Sequence, residues 1–259
     1  MNLVYFPCGG LGNLLFCHAN AFAFAKRNGL HLQAFINQGN SERPSILIYK
    51  NSIFKHLDFV QDTDYNNYYR EPEYKYHEIP KESRVLDGYF QSYKYFYDYQ
   101  DEITELLRSN CSETVSKIKT MYQDISEGLD TICVHIRRGD YFKNPDIHTI
   151  MSEEYYQESL SKFDTSNKVL IIFSENSFEI ENWKVWENKK VHFVNVPDPV
   201  ETLFLMSMCT HFIIANSSLS LYAYYMRENK SAQIEYPNNW FGPNGPSFDL
   251  NDLIPPGNP

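Results

Sequence analysis

The spacing of apolar residues changes along the first 36 positions and predicts three consecutive elements. An apolar run at residues 3–6 predicts a buried strand, and the glycine-rich turn PCGGLGN follows at residues 7–13. Apolar residues then recur at helical spacing and stop before Gly29, a residue type at which helices commonly end. Residues 30–36 predict another strand. This order is the βαβ unit of an open parallel sheet.

The second half of the chain repeats this alternation with greater regularity. Strands are predicted at residues 131–136, 168–173, 191–194, 211–215 and 232–234. Helices are predicted at residues 152–163, 177–187, 199–209 and 217–227. The pattern indicates a doubly wound parallel sheet, whose ligands bind at the carboxyl ends of the strands.

The remaining segments carry weaker patterns. Residues 38–81 are interpreted as loops and short helices, and residues 92–121 as two helical pieces. The Pro-, Gly- and Asn-rich tail at residues 238–259 is expected to wrap over the surface. We therefore predict an α/β protein with two Rossmann-like lobes, residues 1–125 and 126–259, and a ligand crevice between them.

The net charge of −10 narrows the classes of ligand. Proteins that grip nucleic acid usually carry a basic surface, so nucleic acid is not expected as a partner. An anionic small molecule can still bind where Arg side chains and backbone N–H groups gather in one pocket. The 20 Tyr and 18 Phe residues indicate a folded core rather than a disordered chain.

The cysteines and the apolar segments indicate in which cellular compartment the protein is expected. The five cysteines are odd in number and form no CxxC pair, so we expect reduced thiols and neither a disulfide scaffold nor a zinc site. The first ten residues lack the basic and apolar regions of a signal peptide. The longest apolar stretch, residues 203–215, is interrupted by polar residues and is shorter than a membrane span. We expect a soluble cytoplasmic protein without a transmembrane segment; peripheral association with a membrane is the alternative.

Two adjacent arginines follow a predicted strand in the segment VHIRRGDY at residues 134–141. A guanidinium group makes bidentate, charge-assisted hydrogen bonds, and two such groups suit a diphosphate. The alternative is a structural ion pair with Asp140. We expect both: one of Arg137 and Arg138 on phosphate, and the other held by carboxylates inside the fold.

Two further segments are candidates for phosphate binding. Asn216, Ser217 and Ser218 end one predicted strand and open a helix, where free N–H groups and the helix dipole favour anions. An ordinary helix cap is the alternative. Gly10 and Gly12 belong to the N-terminal turn, which lacks the Lys-Ser/Thr pair of a P-loop and matches no GxGxxG. Such glycines let the backbone approach a ligand, and a plain tight turn is the alternative.

Ser174, Glu175 and Asn176 follow another predicted strand. A carboxylate there can accept hydrogen bonds from the N1–H and the amine of guanine or from a ribose hydroxyl, and a helix cap is the alternative. Three of the four polar segments lie at strand ends of the same predicted sheet, so they are expected to converge. Together they predict a nucleotide-diphosphate pocket without a metal-binding pair.

These segments resemble motifs of the α-1,2-fucosyltransferase family, glycosyltransferase family 11. The turn at residues 9–13 is similar to the family's GGLGNQ motif, and residues 135–141 match HxRRGDY in full. Residues 86–96 resemble its GYFQS-KYF segment, and FSEN at residues 173–176 stands where the family has FSDD. Residues 206–220 resemble its MS-C-H-IIANSSFS stretch.

The resemblance implies a GT-B-like fold and an inverting galactoside α-1,2-fucosyltransferase. It implies GDP-β-L-fucose as the donor, a galactose-terminated oligosaccharide as the acceptor, and neither a cofactor nor a metal. The C-terminal lobe would bind GDP-fucose and the N-terminal lobe would lie on the acceptor side. The HxRR motif is shared with α-1,6- and protein O-fucosyltransferases, so another fucosyl linkage is an alternative.

The resemblance also implies roles for single residues. Arg137 would hold the β-phosphate, with His135 and Asn13 near the donor phosphates. The pyrophosphate would lie against Ser217 and Ser218. With the leaving phosphate stabilised in this way, the acceptor hydroxyl would attack the opposite face of the fucose.

The chain departs from the family pattern in three places. Leu14 replaces the Gln of the first motif, and Leu221-Tyr222 replaces a common Trp-Trp. By the resemblance, these two departures are expected to alter contacts with the acceptor. Glu175-Asn176 replaces Asp-Asp, and Glu175 would stand in for the Asp that reads guanine or ribose.

The general base is left open by the sequence. Asp140, Asp146 and a neutral histidine are candidates, and Asp140 also serves as a partner for an arginine. Two functions of other classes compete with a transferase. A non-catalytic sugar- or nucleotide-binding module of the same fold would not need the intact HIRRGD run. A nucleotide-sugar epimerase or dehydrogenase would need a dinucleotide fingerprint and a Tyr-x-x-x-Lys pair, which the chain does not supply.

Overall fold

The structure is a computed structural model that describes residues 1–36, 46–63, 66–175 and 177–256. Residues 38–45 and 64–65 of the region interpreted as loops, residues 257–259 of the tail, and Asn176 of the FSEN segment lie outside the described residues.

The chain divides into two compact units. The first comprises Met1–Ser112 and Ser247–Pro255, and the second contains Glu113–Pro246. Compared with the predicted lobes, residues 113–125 belong to the second unit, and residues 247–255 of the tail belong to the first.

The strands of the first unit form one parallel sheet. They are β1 (Asn2–Phe6), β2 (His31–Phe35), β3 (Asp58–Val60), β4 (Tyr68–Arg70) and β5 (Val85–Asp87). Their order is β3-β2-β1-β5-β4, so the chain leaves β1 towards one edge and returns on its other side. The reversal creates a topological switch point between β1 and β5. Strands β3 and β4 lie in the region interpreted as loops and short helices. They were not predicted, because strands of three residues are too short to show an alternating pattern.

Two long helices belong to the first unit: α1 (Leu11–Asn28) and α2 (Gln100–Asn110). Helix α1 ends where the sequence predicts, because Gly29 adopts φ 63° and its N–H bonds the carbonyls of Ala25 and Lys26. The helix is buried on most of its surface, and it starts directly after the glycine-rich turn.

The second unit also contains one parallel sheet. Its strands are β6 (Thr131–Ile136), β7 (Val169–Ser174), β8 (Lys190–Val194), β9 (His211–Ile213) and β10 (Ile234–Glu235). The order β10-β9-β6-β7-β8 places β6 in the centre, with a switch point between β6 and β9. Every residue of β6 is buried, including the polar residues Thr131 and His135, as is typical of a central parallel strand.

The helices that follow in the chain are α3 (Ser112–Met121), α4 (Gln123–Ser126), α5 (Glu153–Ser161), α6 (Pro199–Ser207) and α7 (Ser218–Tyr225). The predicted helix at residues 177–187 is wrong. Two 3₁₀ turns, Ser177–Glu179 and Lys184–Trp186, stand there, and Trp183 between them is extended. The indole of Trp186 donates to the carbonyl of Ile180 at 2.7 Å, so the apolar spacing reflects an irregular segment packed on the core.

Among the described residues, no helix combines the length and the hydropathy that a bilayer-spanning helix requires.

Candidate active site

The switch point of the second sheet gathers the polar segments predicted from the sequence. Strand β6 pairs with β7 up to the Ile136–Ser174 register and with β9 on its other side. The segment after β6 contacts the segment after β9: the Tyr141 hydroxyl donates to the Asn216 carbonyl at 2.8 Å. The structure therefore brings the HIRRGDY, FSEN and ANSS segments to one edge of the sheet.

Arg137 is held by two carboxylates at this edge. Its Nη1 donates to Glu175 Oε1, and its Nη2 donates to Asp140 Oδ1 at 2.7 Å. The guanidinium also lies 5.3 Å from the centroid of the Tyr141 ring. Glu175 packs so closely under Gly139 that a Cβ there would lie 2.5 Å from its Oε2, and Gly139 has φ +25°. Because of this positive φ, a residue other than glycine would be strained at this turn.

Arg138 has different surroundings from its neighbour. Its Nε donates to Glu179 Oε2 at 3.0 Å. Its guanidinium lies 4.9 Å from the ring centroid of Phe142 and 5.5 Å from that of Trp183. Such packing between a carboxylate and two aromatic rings is a structural environment for an arginine. Both arginines thus have carboxylate partners, whereas the sequence led us to expect one.

The charges at this edge are nearly balanced. Two guanidinium groups face three carboxylates, namely those of Asp140, Glu175 and Glu179. An anion that binds Arg137 therefore competes with these carboxylates for the guanidinium group.

His135 is buried at the end of β6 and is not charged near neutral pH. Its Nδ1 lies 2.9 Å from Ser220 Oγ, which in turn donates to the carbonyl of Ser217 at 3.2 Å. Burial, reinforced by Arg137, lowers the pKa of His135 to about 3. The imidazole is therefore neutral, and it supports the first turn of α7.

The ANSS segment forms the start of α7. Ser217 is the residue before the helix, and its side chain makes no capping bond. Asn216 is buried and its Nδ2 donates to the carbonyl of Trp240 at 2.8 Å. Its Oδ1 has no partner among the described residues. Ser218 is half-buried in the first turn.

The other predicted residues differ in their placement. Ser174 is half-buried at the last position of β7. Asp146, a candidate base, accepts the Asn244 amide through its backbone carbonyl at 2.9 Å.

The predicted residues of the first unit lie at the switch point between β1 and β5. Gly9 adopts φ 75°, and a Cβ there would collide with Asn13. The Asn13 Oδ1 accepts a hydrogen bond from Gln91 Nε2 at 2.7 Å, which ties the start of α1 to the chain after β5. Gly12 is buried in the first turn of α1, and a Cβ at Gly10 would meet nothing within 4 Å. Sterics therefore require glycine at position 9 rather than at position 10.

No group of three or more His, Cys, Asp or Glu side chains in the described part of the chain is arranged to hold a metal ion.

Comparison with known proteins identifies the family. The model of Glycosyl transferase family 11 matches residues 34–243. The chain belongs to this family. Three curated relatives support the assignment at low identity. The O-antigen biosynthesis glycosyltransferase WbnK of Escherichia coli is 27% identical over 68% of this chain and 64% of its own length. An α-1,2-colitosyltransferase of Escherichia coli is 28% identical over 60% of this chain and 55% of its own.

The third relative is a galactoside 2-α-L-fucosyltransferase of Caenorhabditis elegans, 25% identical over 80% of this chain. The aligned region spans between 55% and 64% of the length of these relatives.

Two solved structures share the fold of this family 11 chain. Fucosyltransferase NodZ from Bradyrhizobium aligns with a TM-score of 0.53 at 13% identity, over 88% of this chain and 94% of its own. POFUT1 in complex with GDP aligns with a TM-score of 0.52 at 12% identity, over 92% and 98%. The fold is therefore of the GT-B type with two parallel-sheet units, as the resemblance implied.

Several residues of this family 11 chain that lie at the two switch points were not predicted as site residues from the sequence. The ring of His148 stacks on Tyr141 with centroids 4.5 Å apart, and Phe241 approaches His148 at 6.4 Å. Tyr141 belongs to the HIRRGDY motif, so the motif could have indicated Tyr141 as a site residue. Glu71 lies beside the loop after β5, and no motif of the sequence marks it.

Proposed function

We propose that the protein is an inverting fucosyltransferase that transfers L-fucose from GDP-β-L-fucose to a galactose-type hydroxyl and forms an α-1,2-fucoside. Membership of family 11 supports a glycosyl transfer, and the names of two relatives carry an α-1,2- or 2-α- linkage. Two of the structures with the same fold are described with GDP-fucose or GDP bound.

The observation that carries the proposal is the placement of Arg137 at the switch point between β6 and β9. Ligands of open α/β sheets bind at such points. Arg137 directly follows β6, and its guanidinium group donates to Asp140 and Glu175. We infer that the donor diphosphate competes with these carboxylates for Arg137, because each carboxylate takes one nitrogen whereas phosphate oxygens can accept two parallel bonds from a guanidinium group.

Binding of the diphosphate to Arg137 has a role in the transfer reaction. As fucose leaves GDP, negative charge grows on the β-phosphate oxygen, and Arg137 stabilises it. One such donor contributes about 3 kcal/mol, or about 100-fold in rate. Ser217 and Ser218 would add hydroxyl and N–H donors from the start of α7. Neutral His135 acts behind them as a positioning residue, since its contact is with Ser220.

Roles on the nucleotide and on the first unit belong to the same proposal. Glu175 or Ser174 would accept from guanine or ribose, and Arg138 would fix the segment that carries Arg137. Asn13 and the glycine-rich turn would approach the donor phosphates from the start of α1. We propose that the reaction needs no metal or cofactor and that the partners are GDP-fucose and a galactose-terminated oligosaccharide.

The test is a donor and acceptor screen read by mass spectrometry and by NMR of the product linkage. GDP-fucose is the donor expected to give an α-1,2-fucoside on a galactose-terminated acceptor. GDP-colitose is included because one relative is named as a colitosyltransferase. Transfer of colitose alone, or of another sugar, would contradict the proposal that GDP-fucose is the donor. Binding of GDP-fucose without transfer to any acceptor would favour the non-catalytic module.

A further inference from the structure

A pocket of about 750 Å³ lies in the first unit, at the end of α1 that is remote from the glycine-rich turn. Helix α1 runs antiparallel to the strands, because it connects the parallel neighbours β1 and β2. Its last turn, with Arg27 and Asn28, lies at the amino ends of the strands and lines the pocket. Arg27 is about 20 Å along the helix from Asn13, at a rise of about 1.5 Å per residue. The pocket is therefore separate from the switch point between β1 and β5, and its volume is typical of small-molecule sites.

Ion pairs and hydrogen bonds hold the walls of this pocket. Arg27 donates to both carboxylate oxygens of Asp98 and to the Tyr95 carbonyl at 2.8 Å. The side chain of Tyr95 is buried, and its hydroxyl accepts the His77 amide at 3.0 Å and donates to the Lys75 carbonyl at 3.3 Å. These bonds tie the segments before and after β5 to each other and to α1. The pocket is therefore formed before a ligand arrives, which lowers the entropic cost of binding.

Three tyrosines, Tyr76, Tyr93 and Tyr97, line the pocket with accessible rings. Tyr76 and Tyr97 are 40% and 38% exposed, and Tyr93 is half-buried. The rings of Tyr93 and Tyr97 meet edge to face with centroids 5.9 Å apart, so their faces point in different directions. Tyr76 packs on the ring of Tyr95 with centroids 4.9 Å apart. Accessible aromatic rings gathered in one pocket indicate an interaction site.

The charges around the pocket cancel. The guanidinium of Arg27 is paired with a carboxylate, as described above, and Lys94 pairs with Asp252 at 2.5 Å. The other two charged residues of the lining are Lys81 and Glu78, which have opposite signs. A site without net charge gives no advantage to a phosphate or a polyanion. It suits an uncharged ligand rich in hydroxyl groups, because ammonium, carboxylate and Tyr hydroxyl groups together offer donors and acceptors.

We propose that this pocket binds an uncharged oligosaccharide. The rings of Tyr93 and Tyr97 pack against the C–H faces of pyranose rings, and the polar groups of the lining bind the sugar hydroxyls. Membership of a glycosyltransferase family makes glycans a class of ligand that the protein meets. All residues that line the pocket belong to the unit that contains Met1–Ser112. The inference goes beyond the proposed function, because binding here needs neither a donor nor a particular linkage.

Direct binding without a donor tests this inference, because no transfer then takes place. The probes are three uncharged tetrasaccharides, namely lacto-N-tetraose, cellotetraose and chitotetraose, and a heparin tetrasaccharide serves as the anionic comparison. Isothermal titration calorimetry measures affinity, and hydrogen–deuterium exchange read by mass spectrometry locates the bound sugar. We expect at least one uncharged probe to bind more tightly than the heparin tetrasaccharide. It should slow exchange in residues 76–81 and 93–98.

Tyr97→Ala removes an exposed ring of the pocket. We expect the affinity for the bound tetrasaccharide to fall by about 10-fold, with Tm unchanged, because the ring contributes contact area to the ligand and little to the core. Tyr97→Phe keeps the ring and should retain most of the affinity. Phe178→Ala is the matched control, since it removes a ring that is 84% exposed in the second unit. Its affinity should equal that of the wild type.

Four results would overturn the inference. They are the absence of binding by all three uncharged probes, protection confined to residues outside the pocket, wild-type affinity of Tyr97→Ala, and tighter binding of the heparin tetrasaccharide. A protein that binds a tetrasaccharide in this pocket but transfers no sugar in the donor screen overturns the proposed function alone. The two proposals therefore fail separately.

Discussion

Arg137 and Arg138 are adjacent in sequence, yet their side chains have different partners. Arg137 uses two nitrogens of its fork on Asp140 and Glu175. Arg138 is packed between two aromatic rings and one carboxylate. An anion can displace the partners of the first by exchange, whereas removal of the second disturbs packing. The two arginines should therefore respond differently to the same substitution.

Arg137→Lys keeps a charge and loses the fork. We expect kcat to fall by about 100-fold or more with little change in Tm, because the interaction with the leaving phosphate strengthens as the bond breaks. Arg138→Lys should lower Tm by a few degrees, since a lysine cannot stack on Trp183 and Phe142 in the same way. The measurement is kcat beside Tm for both variants. A stable Arg137→Lys enzyme with near wild-type turnover would show that the catalytic charge lies elsewhere.

Two roles proposed for Glu175 predict different effects of Glu175→Gln on nucleotide binding. As a competitor for Arg137, its loss should strengthen binding of every nucleoside diphosphate. As a reader of guanine, its loss should remove a preference for GDP. We expect GDP to raise the Tm of the wild type more than UDP or ADP at equal concentration. In Glu175→Gln, the three shifts should become equal. Glu181→Gln removes an exposed carboxylate six positions further along the chain and should behave as the wild type. Equal shifts already in the wild type would contradict the guanine assignment.

At the scale of elements, the loop after β5 should link stability to pH. The pKa of Glu71 is raised from 4.5 to about 7 in the folded protein, so the native state binds more protons than the unfolded state between these values. The free energy of unfolding therefore falls as the pH rises from 4.5 to 7. The full effect of such a shift is about 3 kcal/mol, and partial exposure of the side chain reduces it.

Glu71→Gln removes this titration. We expect its Tm to lie at or below the wild-type value at pH 5 and a few degrees above it at pH 8. Thermal melts of both proteins across this range measure the difference. A variant that is less stable than the wild type at both pH values would indicate that the charged form of Glu71 contributes mainly as an anchor for Tyr89 and Phe90.

The sequence predicts well those elements whose apolar spacing is regular within one stretch of chain. Strand β6 and helix α1 are long, and their apolar spacing matches the observed elements closely. The segment at residues 177–187 has apolar residues at similar spacing, but they pack as an irregular chain. Asp140, three positions from Arg137, is a partner that the sequence offers locally. The other partners, Glu175 of Arg137 and Glu179 of Arg138, lie 38 and 41 positions away in the chain, so these pairings depend on strand order. Glu71 acquires its environment from a loop 18 and 19 positions later, which no motif records.

At the scale of the whole molecule, the net charge of −10 sets the background for an anionic donor. Negative charge repels a nucleoside diphosphate at long range, so binding depends on local groups. The switch point of the second sheet supplies Arg137 and the start of α7, with three carboxylates nearby. Such a site can compensate a diphosphate by exchange of partners on Arg137. A bound divalent cation would be the other physical route to the same compensation.

Chelation distinguishes these two routes. We expect transfer from GDP-fucose to survive EDTA, because the guanidinium fork provides the positive charge that a metal would otherwise provide. The assay compares kcat in EDTA with kcat in Mg²⁺ or Mn²⁺, and Tm in EDTA shows whether the chelator affects folding. Activity that is abolished by EDTA at unchanged Tm and restored by a divalent cation would contradict this expectation. In that case, Asp140 and Glu175 would be the first residues to test as metal contacts, since they are the carboxylates that already meet at Arg137.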